Sequence, residues 1–89
     1  MKTIIKFWGN GCINCKALAP IYEEVKKEYA GKIEFREINT SVNAETADKY
    51  NITTLPTLVF EKDGAEVGRL TGLRPKSLIV KKIAEVFGS

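Results

Sequence analysis

Two cysteines three residues apart, Cys12 and Cys15, sit where an apolar stretch ends and a helical pattern begins, and this junction constrains the chain more than any other feature. Phe7-Trp8 closes the apolar stretch, Gly9-Asn10-Gly11 forms a loop, and Cys12-Ile13-Asn14-Cys15-Lys16 opens the helix. The unpaired N–H groups of a first helical turn and the positive end of the helix dipole favour a thiolate on the first cysteine. The second sulfur lies about one turn on, close enough to close a disulfide with it. A buried pair of inert thiols is the bland alternative, but the glycine loop and the helix start favour a redox pair.

With 89 residues, 44% of them hydrophobic, the chain is expected to form a single domain over residues 1–89 around one core. Two cysteines, no histidine and no apolar run of membrane-spanning length argue against a disulfide framework, a self-sufficient four-ligand zinc site and a membrane span. Met1 to Trp8 is too short and too charged for a signal peptide, which predicts a protein of the reducing cytoplasm. The formal charge of +3 comes from Lys and Arg interleaved with Glu, a solvated surface and not a nucleic-acid footprint. Asn39-Thr40-Ser41 and Asn51-Ile52-Thr53 match the glycosylation pattern by chance on that view.

Thr3 to Trp8 is apolar on both faces, Ile4 and Trp8 on one and Ile5 and Phe7 on the other, as expected of a central strand covered by helices; Lys6 falls on the Ile4/Trp8 face. From Ile13 to Ala30, Leu18, Ile21, Tyr22, Val25 and Tyr29 recur at helical spacing, with Gly31 as a stop and Pro20 as an internal kink. Ile33 to Asn39 reads as a second strand, parallel to the first, in which Ile38 is out of phase; a bulge or an early strand end are the two explanations. Val42 to Tyr50 reads as a short helix capped by Ser41 or Asn43, with Asn51 as a left-handed terminator. Thr57 to Glu61 and Glu66 to Thr71 form a hairpin around Asp63-Gly64, with Gly68 marking a bulge. Pro75 suits the first turn of a last helix whose buried stripe is Leu78, Ile79, Ile83, Val86 and Phe87. The order βαβ-α-ββα predicts an α/β domain with a four-stranded mixed sheet and helices on both faces.

Phe7-Trp8, Cys12-x-x-Cys15-Lys16, Pro20, Leu55-Pro56-Thr57, Asp63-Gly64 and Gly72 resemble the thioredoxin superfamily in order and spacing, over nearly the whole chain. The resemblance implies the minimal thioredoxin fold and a thiol–disulfide oxidoreductase that needs no cofactor, with Cys12 and Cys15 as the catalytic pair. It implies a cis bond before Pro56 and substrate contacts at Gly11, Ile13, Leu55, Pro56 and Gly72, with Lys6, Trp8 and Asn14 modulating the pair; for Trp8 a place in the core is the stronger reading. The implied partners are protein disulfides and a thioredoxin-reductase-type flavoprotein or other dithiol donor, with the protein a monomer that binds neither nucleic acid nor membrane.

Several positions depart from the pattern. Thioredoxins usually carry Trp where Gly11 stands and Gly-Pro where Ile13-Asn14 stands, and Lys6 replaces the acid they bury before Phe-Trp, leaving water to carry the Cys15 proton. The usual extra N-terminal strand and helix are missing, so the length is similar to that of glutaredoxins, which suggests a glutathione-dependent reductase as an alternative. Gly9 stands where glutaredoxins have a basic residue, and Thr71-Gly72-Leu73-Arg74 lacks their Gly-Gly-x-Asp pattern. The Gly9 to Cys15 loop also resembles that of small copper carriers, and two thiolates suit Cu(I). Those domains usually have Met where Asn10 stands, and their βαββαβ order differs.

Overall fold

The computed structural model describes residues 1–88. Strand β1 (Lys2–Trp8) lies inside a four-stranded sheet of order β2-β1-β3-β4. It pairs in parallel with β2 (Glu34–Asn39) and antiparallel with β3 (Thr57–Lys62), which in turn pairs antiparallel with β4 (Ala65–Thr71). Both faces of β1 are buried, as its apolar residues on successive positions require.

Helices α1 (Ile13–Glu28) and α3 (Lys76–Phe87) cover one face. Ile4, Leu58 and Phe60 of the sheet pack there against Leu18, Tyr22 and Val25 of α1 and Ile79, Ile83 and Phe87 of α3. On the other face Ile5, Phe7 and Val59 are covered by Ile38, Tyr50, Ile52 and Leu55, around and after the short helix α2 (Ala44–Lys49). The observed order is that of the expected βαβ-α-ββα fold.

Strand β2 corrects one expectation. It pairs with β1 without a break from Thr3–Glu34 to Trp8–Asn39, so Ile38 needs neither a bulge nor an early strand end. Phe35 packs against the α1–α3 layer and Ile38 against the opposite layer, the ordinary alternation of a strand covered on both sides. Glu37 consequently shares the α1 side with Phe35.

Other boundaries move by a few residues. Helix α1 ends at Glu28 and not at Ala30, capped by Tyr29, with Gly31 in the following turn at φ 83°. Helix α2 starts later than expected, and Ser41 does not cap it, its hydroxyl being engaged by the Asn10 amide. Asn43 holds the N-cap position with its side chain donating to the Asn39 carbonyl, and Asn51 takes the left-handed conformation at φ 55°. Asp63 and Gly64 both have positive φ, as a two-residue hairpin turn needs. The β3–β4 register shifts between Phe60–Gly68 and Glu61–Glu66, so the extra residue is Val67, beside Gly68. Pro75 is the N-cap of α3 and not part of its first turn, and Leu78, expected in the buried stripe, faces outward.

Candidate active site

The end of β1 and the start of α1 bring the two cysteines beyond the C-terminal end of that interior strand, where a disulfide joins them with Cα atoms 5.2 Å apart. Cys12 is the N-cap of α1, in extended conformation, and its Sγ accepts the Cys15 amide at 3.1 Å. The same hydrogen bond stabilises negative charge on Cys12 once the disulfide is opened, and no acidic residue in the first turn of α1 opposes it. Cys15 is 5% exposed, whereas Cys12 is half-buried. The pair is therefore unequal in access before any partner arrives.

The loop before Cys12 is held from the β2 side. The Trp8 carbonyl accepts both the amide and the hydroxyl of Thr40, at 2.7 and 2.9 Å. The Asn10 amide donates to Ser41 Oγ at 2.9 Å, and Asn10 Oδ1 accepts from Asn39 Nδ2 at 3.1 Å. Gly11 turns with φ 72°, a conformation costly for a side chain. Gly9 is buried, and a Cβ there would come within 2.9 Å of Leu55 Cδ1, so Leu55 lies directly against the redox loop. These contacts from Asn39, Thr40 and Ser41 lie outside the sequence-derived site, since only the β1–β2 pairing brings them to the loop.

Leu55–Pro56 is a cis peptide bond, and Pro56 is buried. Its carbonyl accepts the Gly72 amide at 2.7 Å, so two of the expected substrate-contact positions are fastened to each other. Ile13 is 81% exposed beside Cys12, and Asn14 is exposed on the same turn.

A cavity of about 400 Å³ opens beside the disulfide, lined by Trp8, Cys12, Cys15, Lys16, Ala19 and the Lys6–Glu37 pair among others. Trp8 is half-buried on its wall, neither a pure core residue nor fully free. Lys6 is 6% exposed, lying 3.5 Å from Glu37 Oε1 and 4.9 Å from the centre of the Tyr22 ring. Lys26 approaches the other Glu37 oxygen at 3.7 Å. An ammonium taken out of water needs such partners. The Lys6 head group stays within the cavity wall, and that cavity, which Cys15 also lines, contains a carboxylate supplied by β2. A register fault at Ile38 would hide Glu37; with Phe35 and Glu37 on one face, the strand pairing places an acid opposite Lys6.

The Tyr22 hydroxyl donates to the carbonyls of Ile4 and Arg36, at 3.1 and 2.8 Å, tying α1 to both strands beneath the cavity. Burial, with Glu37 adding to it, pushes the Tyr22 phenol far above its ordinary pKa, so it stays a neutral donor. Among the described residues no group of three or more His, Cys, Asp and Glu side chains is arranged to hold a metal ion, and no helix is long and apolar enough to cross a membrane.

Residues 1–85 match the family model described as Thioredoxin. The chain is 40% identical over 74 residues to thioredoxin C-2 of Corynebacterium nephridii, covering 83% of this chain and 68% of that protein. It is 36% identical over 84 residues to a thioredoxin of Staphylococcus aureus, covering 94% and 77%. The X-ray structure of Fasciola hepatica thioredoxin superposes with a TM-score of 0.88 at 33% identity, over 96% of this chain and 80% of that one. Family model, relatives and superposed fold thus agree with the Cys12–Cys15 disulfide at the helix cap: the chain belongs to the thioredoxin family and is a thiol–disulfide oxidoreductase.

Proposed function

We propose that this protein is a dithiol reductant in which Cys12 attacks and Cys15 resolves, acting as a single-domain monomer in a reducing cytoplasm. Family membership implies protein disulfides as substrates and a donor of reducing equivalents. In the first step the Cys12 thiolate attacks one sulfur of a substrate disulfide; that S–S bond breaks and the other substrate sulfur leaves as a thiolate, which takes up a proton from water. Cys15 then loses its proton and attacks Cys12 Sγ, which releases the second substrate thiol and forms the Cys12–Cys15 disulfide. Two electrons have passed to the substrate, and the donor restores them with two protons.

The observation that carries this reading is the asymmetry of the pair: Cys12 at the helix cap with the Cys15 amide on its sulfur at 3.1 Å, and Cys15 behind it at 5% exposure. Gly11, Ile13, Leu55, Pro56 and Gly72 form the rim on which an extended substrate segment lies. Lys6, Trp8 and Asn14 tune the pair, Lys6 by its charge next to the cavity. Water in that cavity carries the Cys15 proton, within reach of Glu37. The donor is a thioredoxin-reductase-type flavoprotein or another dithiol, since the glutathione-site residues of glutaredoxins are missing at Gly9 and at Thr71 to Arg74. A copper-carrier role finds no support in the element order βαβαββα.

Reduction of insulin disulfides by the dithiol protein tests the activity, and Cys15→Ser tests the order of attack. This variant is expected to accumulate a mixed disulfide with substrate through Cys12, and Cys12→Ser is expected to be inert. Equal alkylation rates of the two thiols in the reduced protein would overturn the assignment.

A further inference from the structure

On the opposite side of α1 from the Lys6 cavity lies a groove of about 410 Å³, lined by Ala17, Ile21, Leu73, Arg74 and Pro75. Ile13, Ala17 and Ile21 follow one another at four-residue spacing and share a face of the helix, so the groove continues the exposed side of Ile13, next to Cys12. The opposite wall starts at Leu73, immediately after Gly72, whose amide is held by the Pro56 carbonyl. The small side chain of Ala17 leaves the floor low between two isoleucines. Leu73 is 42% exposed although its surroundings are apolar.

Arg74 stands at the rim. Its Nε donates to the Thr71 carbonyl at 2.9 Å, which ties the guanidinium to the end of β4 beside the groove, and no carboxylate pairs with it among the described residues. No acidic side chain lines the groove, and Lys16 adds a second cation near Cys12, on the cavity side of α1. Apolar walls with an unpaired cation at the edge complement an aliphatic side chain that has a carboxylate beside it.

We propose that this groove is a substrate subsite that takes an aliphatic residue, flanked by an acidic one, of the polypeptide being reduced. The inference rests on the reading of Cys12 as the attacking sulfur. The middle of the groove lies about seven helical residues beyond Cys12, on the order of 10 Å, which an extended chain spans in about three residues. The recognised pair therefore sits about three residues from the attacked cysteine.

Peptides with one intramolecular disulfide test this, carrying Leu-Glu, Leu-Lys or Ser-Ser three residues after the attacked cysteine in one set and three before it in another. The readout is the second-order rate constant for single-turnover oxidation of the dithiol protein, with dithiodipyridine as a small neutral disulfide control. In one of the two sets the Leu-Glu peptide is expected to react about tenfold faster than Ser-Ser and about threefold faster than Leu-Lys. Leu73→Ser should abolish the first preference, Arg74→Glu should invert the second, and Arg74→Lys should retain it, all with the dithiodipyridine rate unchanged. Equal rates for the three peptides in both sets, or preferences that survive Leu73→Ser and Arg74→Glu, overturn the subsite while normal oxidation by dithiodipyridine leaves the oxidoreductase reading intact. A dithiol protein oxidised by neither the peptides nor dithiodipyridine would sink that reading, and the subsite with it.

Discussion

The Lys6 ammonium lies beneath the redox helix at 6% exposure, and the nearest carboxylate, Glu37 Oε1, is 3.5 Å away. Removing one partner of a fully buried pair costs about 3–5 kcal/mol, but the Glu37 side chain is 38% exposed and shared with Lys26, so solvent screens much of the effect. Glu37→Gln is expected to lower stability by about 1–2 kcal/mol in urea denaturation, and Lys6→Met, which removes the buried charge itself, by less than about 1 kcal/mol. The redox consequence has a definite sign. A cation near the sulfurs favours thiolate and hence the reduced state, so Lys6→Asp should make the disulfide harder to reduce, by about 30 mV for each 1.4 kcal/mol lost, with Lys6→Gln in between. Potentials of both variants equal to the parent's would make Lys6 purely structural. Gly9 offers a separate probe, because the atom its Cβ would meet at 2.9 Å is the tip of Leu55, a flexible end. Gly9→Ala should therefore leave stability within about 1 kcal/mol of the parent yet displace Leu55, slowing reduction of insulin more than that of dithiodipyridine. Equal slowing of both would refute a docking role for Leu55.

At the scale of elements, one hydroxyl fastens α1 to β1 and β2. Tyr22→Phe leaves the Ile4 and Arg36 carbonyls without that donor and should cost about 1–2 kcal/mol at neutral pH. Burial raises the phenol well above its ordinary 10.0, whereas the same group in the unfolded chain ionises near that value. Its stabilising share is full below about pH 10 and is lost as the pH climbs further, because only the unfolded state gives up the proton. Chemical denaturation of parent and variant at pH 8 to 11 checks this: the gap between them is expected to be constant at first and to shrink above about pH 10. A gap independent of pH throughout would mean that Tyr22 ionises equally in both states. On the same face, α3 crosses β4 at Gly68, where a Cβ would meet Lys82 Cε at 2.9 Å and Val86 Cγ1 at 3.1 Å. The glycine read from the sequence as a bulge marker is thus also the close approach of helix to strand.

For the whole molecule, a Cα radius of gyration of 12.1 Å matches the about 12 Å expected of a compact chain of this length. Ile13 and Leu73 flank the shallow groove beside α1, while Val42 and Leu78 lie elsewhere in the chain, before α2 and on α3. The proposed monomer is therefore expected to show, in X-ray scattering and sedimentation, the mass of one 9.9 kDa chain at working concentrations. A concentration-dependent rise toward twice that mass would contradict it.

Local chemistry made much of the fold legible in the sequence. Apolar residues on both of its faces marked β1 as a strand buried on both sides, the Asp63-Gly64 turn announced its hairpin through positive φ, and the helix start at Cys12 and Cys15 pointed to the redox pair. Each of these is a preference of a few neighbouring residues for one backbone conformation or one solvent, so it can be read without knowing what packs against them. Tertiary structure alone decided the partners. The β1–β2 register put Glu37 opposite Lys6, and the same pairing brought Ser41 and Asn39 to Asn10 and Thr40 to the Trp8 carbonyl. Packing across the domain set Leu55 against Gly9, Gly72 on the Pro56 carbonyl and Leu73 across from Ala17. Periodicity assigns a residue to a face but not to a neighbour, because the neighbour depends on strand order and register, and these follow from burying both faces of the sheet at once.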